Sequence, residues 1–211
     1  PENLRAAIRV LRAAGYDVFA PTPAAGRPYC CGRTYLSAGM VDKARAEAER
    51  LVTALYPLAR SGVRIVGLEP SCTLALRDEV PALLGTAQAE AVAEATLTFA
   101  ELIEADRPDL PVPAAASRRP VKLHGHCHQK AFDLVKPAEA VLRDIAGAEV
   151  EVIETSCCGM AGAFGYGRDT YNVSIRMAEA SLLPAVRAAP DDATIVADGT
   201  SCRCQIDDGT G

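Results

Sequence analysis

The chain has 211 residues, of which 49% are hydrophobic and 23% are charged, and its formal net charge at pH 7 is −5. This composition indicates a globular protein and argues against a disordered, collagen-like or fibrous chain. The acidic balance argues against a DNA or RNA partner, because phosphate binding needs an excess of Lys and Arg on one face. No apolar run reaches the roughly 18 residues of a membrane-spanning helix, so no transmembrane segment is expected.

The start of the chain indicates a cellular compartment, and that compartment affects how the cysteines are interpreted. Pro1 and the residues that follow lack the basic and apolar regions of a secretory signal, so we interpret the sequence as a piece of a longer cytoplasmic protein. Thiols stay reduced in the cytoplasm. The eight cysteines therefore predict metal or cluster binding rather than a disulfide framework.

Helices and short apolar runs alternate along the chain. Leu4, Ile8 and Leu11 recur at helical spacing and predict a first helix that ends near Gly15. Longer helices are predicted at about 40–60 and 169–187 from their composition and apolar faces. The apolar runs predict strands at residues 17–19, 64–68, 121–124, 149–153 and 194–197. This alternation predicts an α/β fold with mainly parallel sheets flanked by helices.

The chain also repeats itself. Cys30-Cys31-Gly32 is followed by a helical stretch, an apolar run and Ser71-Cys72, and Cys157-Cys158-Gly159 is followed by the same order up to Ser201-Cys202. Two pseudo-repeated units are the simplest explanation. We place them at residues 1–104 and 121–211, with a Pro- and Ala-rich connector at 105–120. The register of the repeat puts the opening strand of the first unit before residue 1.

Most of the cysteines follow closely after predicted strands. Chain that leaves the carboxyl ends of parallel strands forms the ligand-binding crevice of such sheets, so their sulfur atoms are expected to converge at one edge. The spacing fits neither a zinc ribbon nor a bacterial ferredoxin. Because adjacent side chains such as Cys157 and Cys158 diverge, they reach different irons of one cluster more easily than a single zinc ion. A cluster is therefore favoured, and zinc stays an alternative.

Five blocks carry a resemblance to a known family: Cys-Cys-Gly-Arg at 30–33, Gly-Leu-Glu-Pro-Ser-Cys at 67–72, His-Gly-His-Cys-His-Gln-Lys-Ala at 124–131, Cys-Cys-Gly-Met-Ala-Gly at 157–162 and Ala-Asp-Gly-Thr-Ser-Cys at 197–202. The sequence resembles the cysteine-rich CCG domain family. That family includes one of the subunits of heterodisulfide reductase, the iron-sulfur subunit of glycolate oxidase, and the carboxyl-terminal part of fused FAD-linked 2-hydroxyacid dehydrogenases of the D-lactate or D-2-hydroxyglutarate type.

The family's pattern usually occurs twice and implies two clusters, but the departures described below favour one [4Fe-4S] cluster, for which the expected ligands are Cys127, Cys157, Cys158 and Cys202. A degenerate or shared second set would be formed by Cys30, Cys31 and Cys72. The sequence departs from the family pattern in three places. The first unit lacks a leading cysteine, and Thr-Leu-Ala follows Cys72 without a further cysteine. The second unit ends with Cys202-Arg203-Cys204 instead of Cys-x2-Cys. Cys204 is interpreted as structural.

The three histidines of the chain stand at 124, 126 and 128. If the strand continues through them, they share one face, where they could bind a metal ion or lie beside a flavin and a carboxylate substrate. His126 and His128 are accordingly candidate catalytic residues, whereas Lys130 is interpreted as a solvated surface lysine.

A glycine-rich loop follows Cys158. We expect Gly159 and Gly162 to bring backbone N–H groups close to cluster sulfurs, which raises the reduction potential of the cluster.

The sequence thus predicts the iron-sulfur electron-transfer part of a larger FAD-dependent oxidoreductase that acts on a D-2-hydroxy acid such as lactate, glycolate or 2-hydroxyglutarate. FAD would bind to another domain or subunit, which is the expected partner, and the fragment alone would show no turnover. The expected location is cytoplasmic, with contact to the inner face of the membrane only through an electron acceptor. The alternatives are a zinc-stabilised assembly module and thiol-disulfide chemistry like that of heterodisulfide reductase.

Overall fold

A computed structural model of the protein describes residues 2–23, 26–112 and 119–211. The chain divides into two compact units, Pro1–Leu102 and Ile103–Gly211. The middle of the expected connector, residues 113–118, lies outside the described residues. Both units contain parallel strands flanked by helices, which confirms the predicted α/β fold. The helices that the described residues form include none with the length and apolar character needed to cross a bilayer.

The first unit is mainly helical. Its elements, in chain order, are α1 (Glu2–Ala13), α2 (Arg33–Ser37), α3 (Val41–Arg60), β1 (Ile65–Gly67), α4 (Pro70–Arg77), α5 (Glu79–Leu84), α6 (Ala87–Ala95) and β2 (Thr96–Thr98). The helix α7 (Phe99–Asp106) follows. The apolar face of α3 buries Ala48, Leu51 and Leu55 against Ala75 and Val92, because these side chains recur every three or four residues.

One predicted strand of the first unit does not form. The only ladder that the described residues of this unit make joins β1 to β2 in parallel, and residues 17–19 are extended without a ladder partner. The prediction of a strand there was wrong, because the segment forms no ladder with the open edge of β1 or of β2. A cavity of about 460 Å³ separates this segment from β1, and its apolar lining includes Val18, Phe19, Ile65 and Leu102.

The second unit is built on a three-stranded parallel sheet in the order β4-β3-β5. Its elements are β3 (Pro120–His124), α8 (Cys127–Ala131), α9 (Val135–Ala140), a π-helical turn (Val141–Ile145), β4 (Glu149–Val152), a 3-10 turn (Phe164–Tyr166), α10 (Tyr171–Glu179), α11 (Leu182–Arg187), β5 (Thr194–Ala197) and α12 (Thr200–Thr210). In the ladders, Leu123 of β3 is paired with Val152 on one side and with Val196 on the other.

The helix predicted at 169–187 is in fact two helices. The chain breaks between α10 and α11, where Ser181 adopts a φ of −159°. Pro184 then falls in the first turn of α11, where its missing N–H would have had no partner within the helix. The proline is therefore accommodated by a new helix start rather than by a bend in one long helix.

The packing of the second unit can be tested with a matched pair of substitutions. Leu182 is 0% exposed and Val173 is 46% exposed. Leu182→Ala is expected to lower the free energy of unfolding by about 2–5 kcal/mol, because it leaves a cavity in the core. Val173→Ala is expected to change it by about 0.5 kcal/mol or less. Urea denaturation followed by circular dichroism measures both, and equal losses would contradict this assignment of the core.

Candidate metal centre

The ends of three neighbouring strands deliver the cysteines of the second unit to one edge of its sheet. Cys127 begins α8 three residues after β3 ends at His124. Cys157 and Cys158 follow β4, and Cys202 lies in the first turn of α12, after β5. Because the strands are parallel, all of these segments leave the sheet at its carboxyl edge.

The thiols of this edge form a continuous chain of neighbours. Cys157 is within hydrogen-bonding reach of both Cys127 and Cys158, and Cys158 is in turn within reach of Cys202. The structure therefore brings together all of the expected ligands of the second unit. Cys158 and Cys202 are buried, Cys157 is half-buried and Cys127 is exposed, so the group extends from the core to the surface. We call these four residues the sulfur pocket.

The pKa values of these thiols diverge because they share protons. Hydrogen bonds from the thiols of Cys127 and Cys158 hold the pKa of Cys157 far below its usual value. The hydrogen bond with Cys158 lowers the pKa of Cys202 to about 5. The same bonds raise the pKa of Cys127 and Cys158. Neighbouring thiols cannot all ionise together, because their negative charges repel one another. Full deprotonation of the four thiols therefore requires a bound cation, as it does in metal sites with thiolate ligands.

A glycine with a left-handed backbone shapes the turn after Cys158. Gly159 has a φ of +88°, and its N–H donates to the Sγ of Cys157 at 3.4 Å. A Cβ at this position would overlap the carbonyl oxygen of Ser174 in α10. Gly162 also has a positive φ, of +67°, but a Cβ there would meet open space. Gly159 thus lies against a sulfur, whereas Gly162 serves the turn.

The first unit repeats this turn. Gly32 has a φ of +80°, its N–H donates to the Sγ of Cys30 at 3.4 Å, and a Cβ would lie 2.7 Å from the carbonyl oxygen of Ala44 in α3. The Sγ atoms of Cys31 and Cys72 are 3.2 Å apart. Their shared hydrogen bond lowers the pKa of Cys31 to about 6 and raises that of Cys72. Of the second expected cysteine set, the structure therefore pairs Cys31 with Cys72 within the first unit, while the sulfur of Cys30 accepts from the Gly32 N–H.

A buried ion-pair network fixes the segment before Cys30. Glu47 of α3 is only 5% exposed, and its carboxylate pairs with Arg50 at 2.8 Å and with Arg27 at 2.6 Å. Arg50 also donates to the carbonyl oxygen of Pro28 at 2.5 Å and lies 5.0 Å from the centre of the Tyr29 ring. The hydrogen bond from Arg50 lowers the pKa of Glu47. Sequence reasoning missed this network, because only the Glu-x-x-Arg spacing within α3 hinted at it.

The three histidines do not share a strand face, so that expectation was wrong. β3 ends at His124. His126 instead caps α8, where its Nδ1 accepts a hydrogen bond from the His128 N–H at 3.1 Å while its own N–H donates to Gln129 Oε1 at 3.0 Å. Gln129 then donates to Asp198 at 2.7 Å, which ties α8 to the end of β5. The polar capping interactions end the strand before the alternation can continue.

Two further residues near the pocket differ in their environment. Lys130 is half-buried rather than solvated, since its Nζ donates to Thr155 Oγ1 at 2.7 Å and to the carbonyl oxygens of Thr155 and Ser156. Cys204 is half-buried and packs against the apolar cluster that contains Cys158 and Cys202.

Comparison with known proteins matches residues 121–207 to the family model described as the cysteine-rich domain, CCG. The chain is also 28% identical, over 95% of its length, to the C subunit of the anaerobic glycerol-3-phosphate dehydrogenase of Escherichia coli K12. It is 30% identical over 82% of its length to the D-2-hydroxyglutarate dehydrogenase of the same organism, and 29% identical over 96% to that of Pseudomonas putida. The chain spans 49% of the first relative and 17% and 19% of the others.

The two glycines after Cys158 provide a test of the turn. Gly159→Ala adds the strain of a positive φ, about 1–2 kcal/mol, and an overlap with the Ser174 carbonyl oxygen. Gly162→Ala adds the strain alone. We therefore expect Gly159→Ala to lower the stability more. Thermal denaturation measures the difference. Indistinguishable melting temperatures would mean that Gly159 does not pack against α10 as described.

Proposed function

Because residues 121–207 of this chain belong to the cysteine-rich CCG domain family, we propose that the chain holds an iron-sulfur cluster and passes electrons within a larger flavin-linked dehydrogenase. The observation that carries the proposal is the contiguity of the sulfur pocket. Thiolate sulfur is the ligand type of iron-sulfur clusters. Four thiols from the ends of three adjacent strands match in number the cysteines that a [4Fe-4S] cluster needs.

The residues of the pocket would each contribute to such a site in a different way. Buried Cys158 and Cys202, backed by Met160 and Ile153, exclude water on the core side. Exposed Cys127 leaves one side open to solvent or to a partner. A bound cluster supplies one-electron transfer. The Gly159 N–H, which already donates to Cys157 Sγ, would favour the more negative redox state, because hydrogen bonds to cluster sulfurs raise the reduction potential.

The similar proteins support a role that is independent of substrate. The chain aligns over most of its length with dehydrogenases whose names specify glycerol 3-phosphate in one case and D-2-hydroxyglutarate in another. A segment common to enzymes of different substrates is suited to a step that they share, and electron relay is such a step. We propose that FAD binds to another domain or subunit, and that the whole enzyme oxidises a D-2-hydroxy acid such as lactate, glycolate or 2-hydroxyglutarate.

A structural zinc site is the second candidate. One ring nitrogen of His124 and the Sγ atoms of Cys158 and Cys202 all lie within 4.8 Å of one another, and mixed nitrogen and sulfur ligands are typical of structural zinc. Under this alternative the chain would serve assembly without carrying electrons. Metal analysis separates the two candidates.

Anaerobic reconstitution of the chain with iron and sulfide tests the primary proposal. We expect several irons and an equivalent amount of acid-labile sulfide per chain, with a broad visible absorption. Cys158→Ser removes a buried member of the pocket and is expected to abolish cluster binding, whereas the matched variant Cys204→Ser is expected to retain it. Binding of one zinc without acid-labile sulfide would refute the proposal.

A further variant tests whether the cysteines of the first unit share the same cluster. Cys72 is within 3.2 Å of Cys31, and Cys72→Ser breaks that pair. If the cluster is held by the second unit alone, iron and sulfide content after reconstitution stay unchanged. A loss of iron equal to that of Cys158→Ser would show that both sets are required.

A further inference from the structure

His124 is a buried imidazole that faces the sulfur pocket and has no role in the iron-sulfur ligand set proposed above. It is the last residue of β3 and is 1% exposed. Its Nδ1 lies 3.1 Å from Thr155 Oγ1, while its Nε2 is buried without a hydrogen-bond partner among the described residues. A buried donor or acceptor left in this way costs about 1–3 kcal/mol, so a partner on the side of the ring that faces the pocket is indicated.

The sulfurs of the pocket lie in the direction of that unsatisfied nitrogen. A ring nitrogen of His124 is within 4.8 Å of the Sγ atoms of Cys158 and Cys202. Nδ1 is engaged by Thr155, so Nε2 is the atom available to them. His124 is also paired with Ala197 across the β3–β5 ladder, which places it beside the strand that leads to Cys202. The pKa of Cys202 is lowered first by its bond with Cys158 and then by the neighbouring His124 imidazole.

The hydrogen bonds behind His124 favour one of its two neutral tautomers. The ammonium of Lys130 can only donate, and it lies 2.7 Å from Thr155 Oγ1. Thr155 therefore accepts from Lys130 and has its own hydroxyl proton to donate. The His124 Nδ1 is the acceptor at hydrogen-bonding distance. In the neutral ring this arrangement favours the proton on Nε2, facing the pocket.

We propose that His124 is a positioning residue for the cluster, whose Nε2–H donates a hydrogen bond to the sulfur of Cys202, with Thr155 and Lys130 fixing its tautomer. This inference rests on the proposed iron-sulfur function. A donor to a cluster sulfur stabilises the reduced, more negative form, so His124 raises the reduction potential without ligating iron.

Redox titration of the reconstituted chain tests the effect on the potential. We expect His124→Leu to retain iron and sulfide but to shift the ratio of reduced to oxidised cluster on the order of tenfold towards the oxidised form, equivalent to about 59 mV for one electron. His124→Gln keeps an N–H donor and is expected to restore most of the potential. Thr155→Val, which lacks the hydroxyl, is expected to shift the potential in the same direction as His124→Leu. Thr155→Ser keeps the hydroxyl and is expected to leave the potential unchanged.

A spectroscopic measurement makes the outcomes distinct. With ¹⁵N-labelled histidine, pulsed electron paramagnetic resonance of the reduced cluster should show a weak nitrogen coupling that His124→Leu removes. A strong coupling, together with loss of iron in His124→Leu, would make His124 a ligand and overturn the inference. An unchanged potential in an intact cluster would also overturn it. If His124→Leu does not fold, the potentials of His124→Gln, Thr155→Val and Thr155→Ser decide the matter.

The tautomer can be measured without any metal, which separates failure of this inference from failure of the proposed function. Long-range ¹H–¹⁵N correlation spectra of the metal-free chain should show His124 protonated at Nε2, and Thr155→Val should reduce that preference. A proton on Nδ1 would refute the tautomer argument whatever the chain binds. Absence of acid-labile sulfide in the unsubstituted chain would refute the iron-sulfur function, and with it the role of His124 towards a cluster.

Discussion

The shared direction of β3, β4 and β5 is the constraint on which the candidate centre depends. Parallel strands end at the same edge of their sheet, and the polypeptide that leaves each of them must turn there. In the second unit each of these turns carries cysteine. Residues far apart in sequence therefore become neighbours through the backbone ladder, without any contact that is specific to the thiols. The ladder in turn depends on apolar side chains such as Leu123, which is 1% exposed between its two partner strands.

The sequence was most informative where one local pattern had a single structural solution. The apolar stripe of α3 and the short apolar runs of β3, β4 and β5 predicted those elements closely. The order of strands and cysteines then predicted that the sulfurs would meet at one edge, which those of the second unit do, whereas Cys30, Cys31 and Cys72 belong to the first unit, which has its own sheet. The repeated Cys-Cys-Gly motif also has a repeated structure, since both Gly32 and Gly159 combine a positive φ with an N–H directed at a cysteine sulfur.

Features that arise between elements could not be predicted in this way. β2 has only three residues and lies directly between the helices α6 and α7, and its pairing with β1 makes it a strand. Residues 17–19 have strand-like side chains but no ladder partner. The same applies to polar contacts, because no spacing in the sequence indicates that Lys130 reaches Thr155, or that Thr155 reaches His124. Those contacts turned a lysine interpreted as a surface residue into part of the support of the sulfur pocket.

The two units differ in how their sheets can resist local opening. Within the described residues, the ladder of the first unit has two strands, so each of them is an edge strand, whereas the second unit has β3 as an interior strand. An edge strand can separate from its neighbour by breaking a single row of backbone hydrogen bonds, and two-stranded sheets are marginal without helices packed on them. Transient fraying should therefore be easiest at β1 and β2, while β3, which is paired on both sides and leads to Cys127, stays closed on longer timescales.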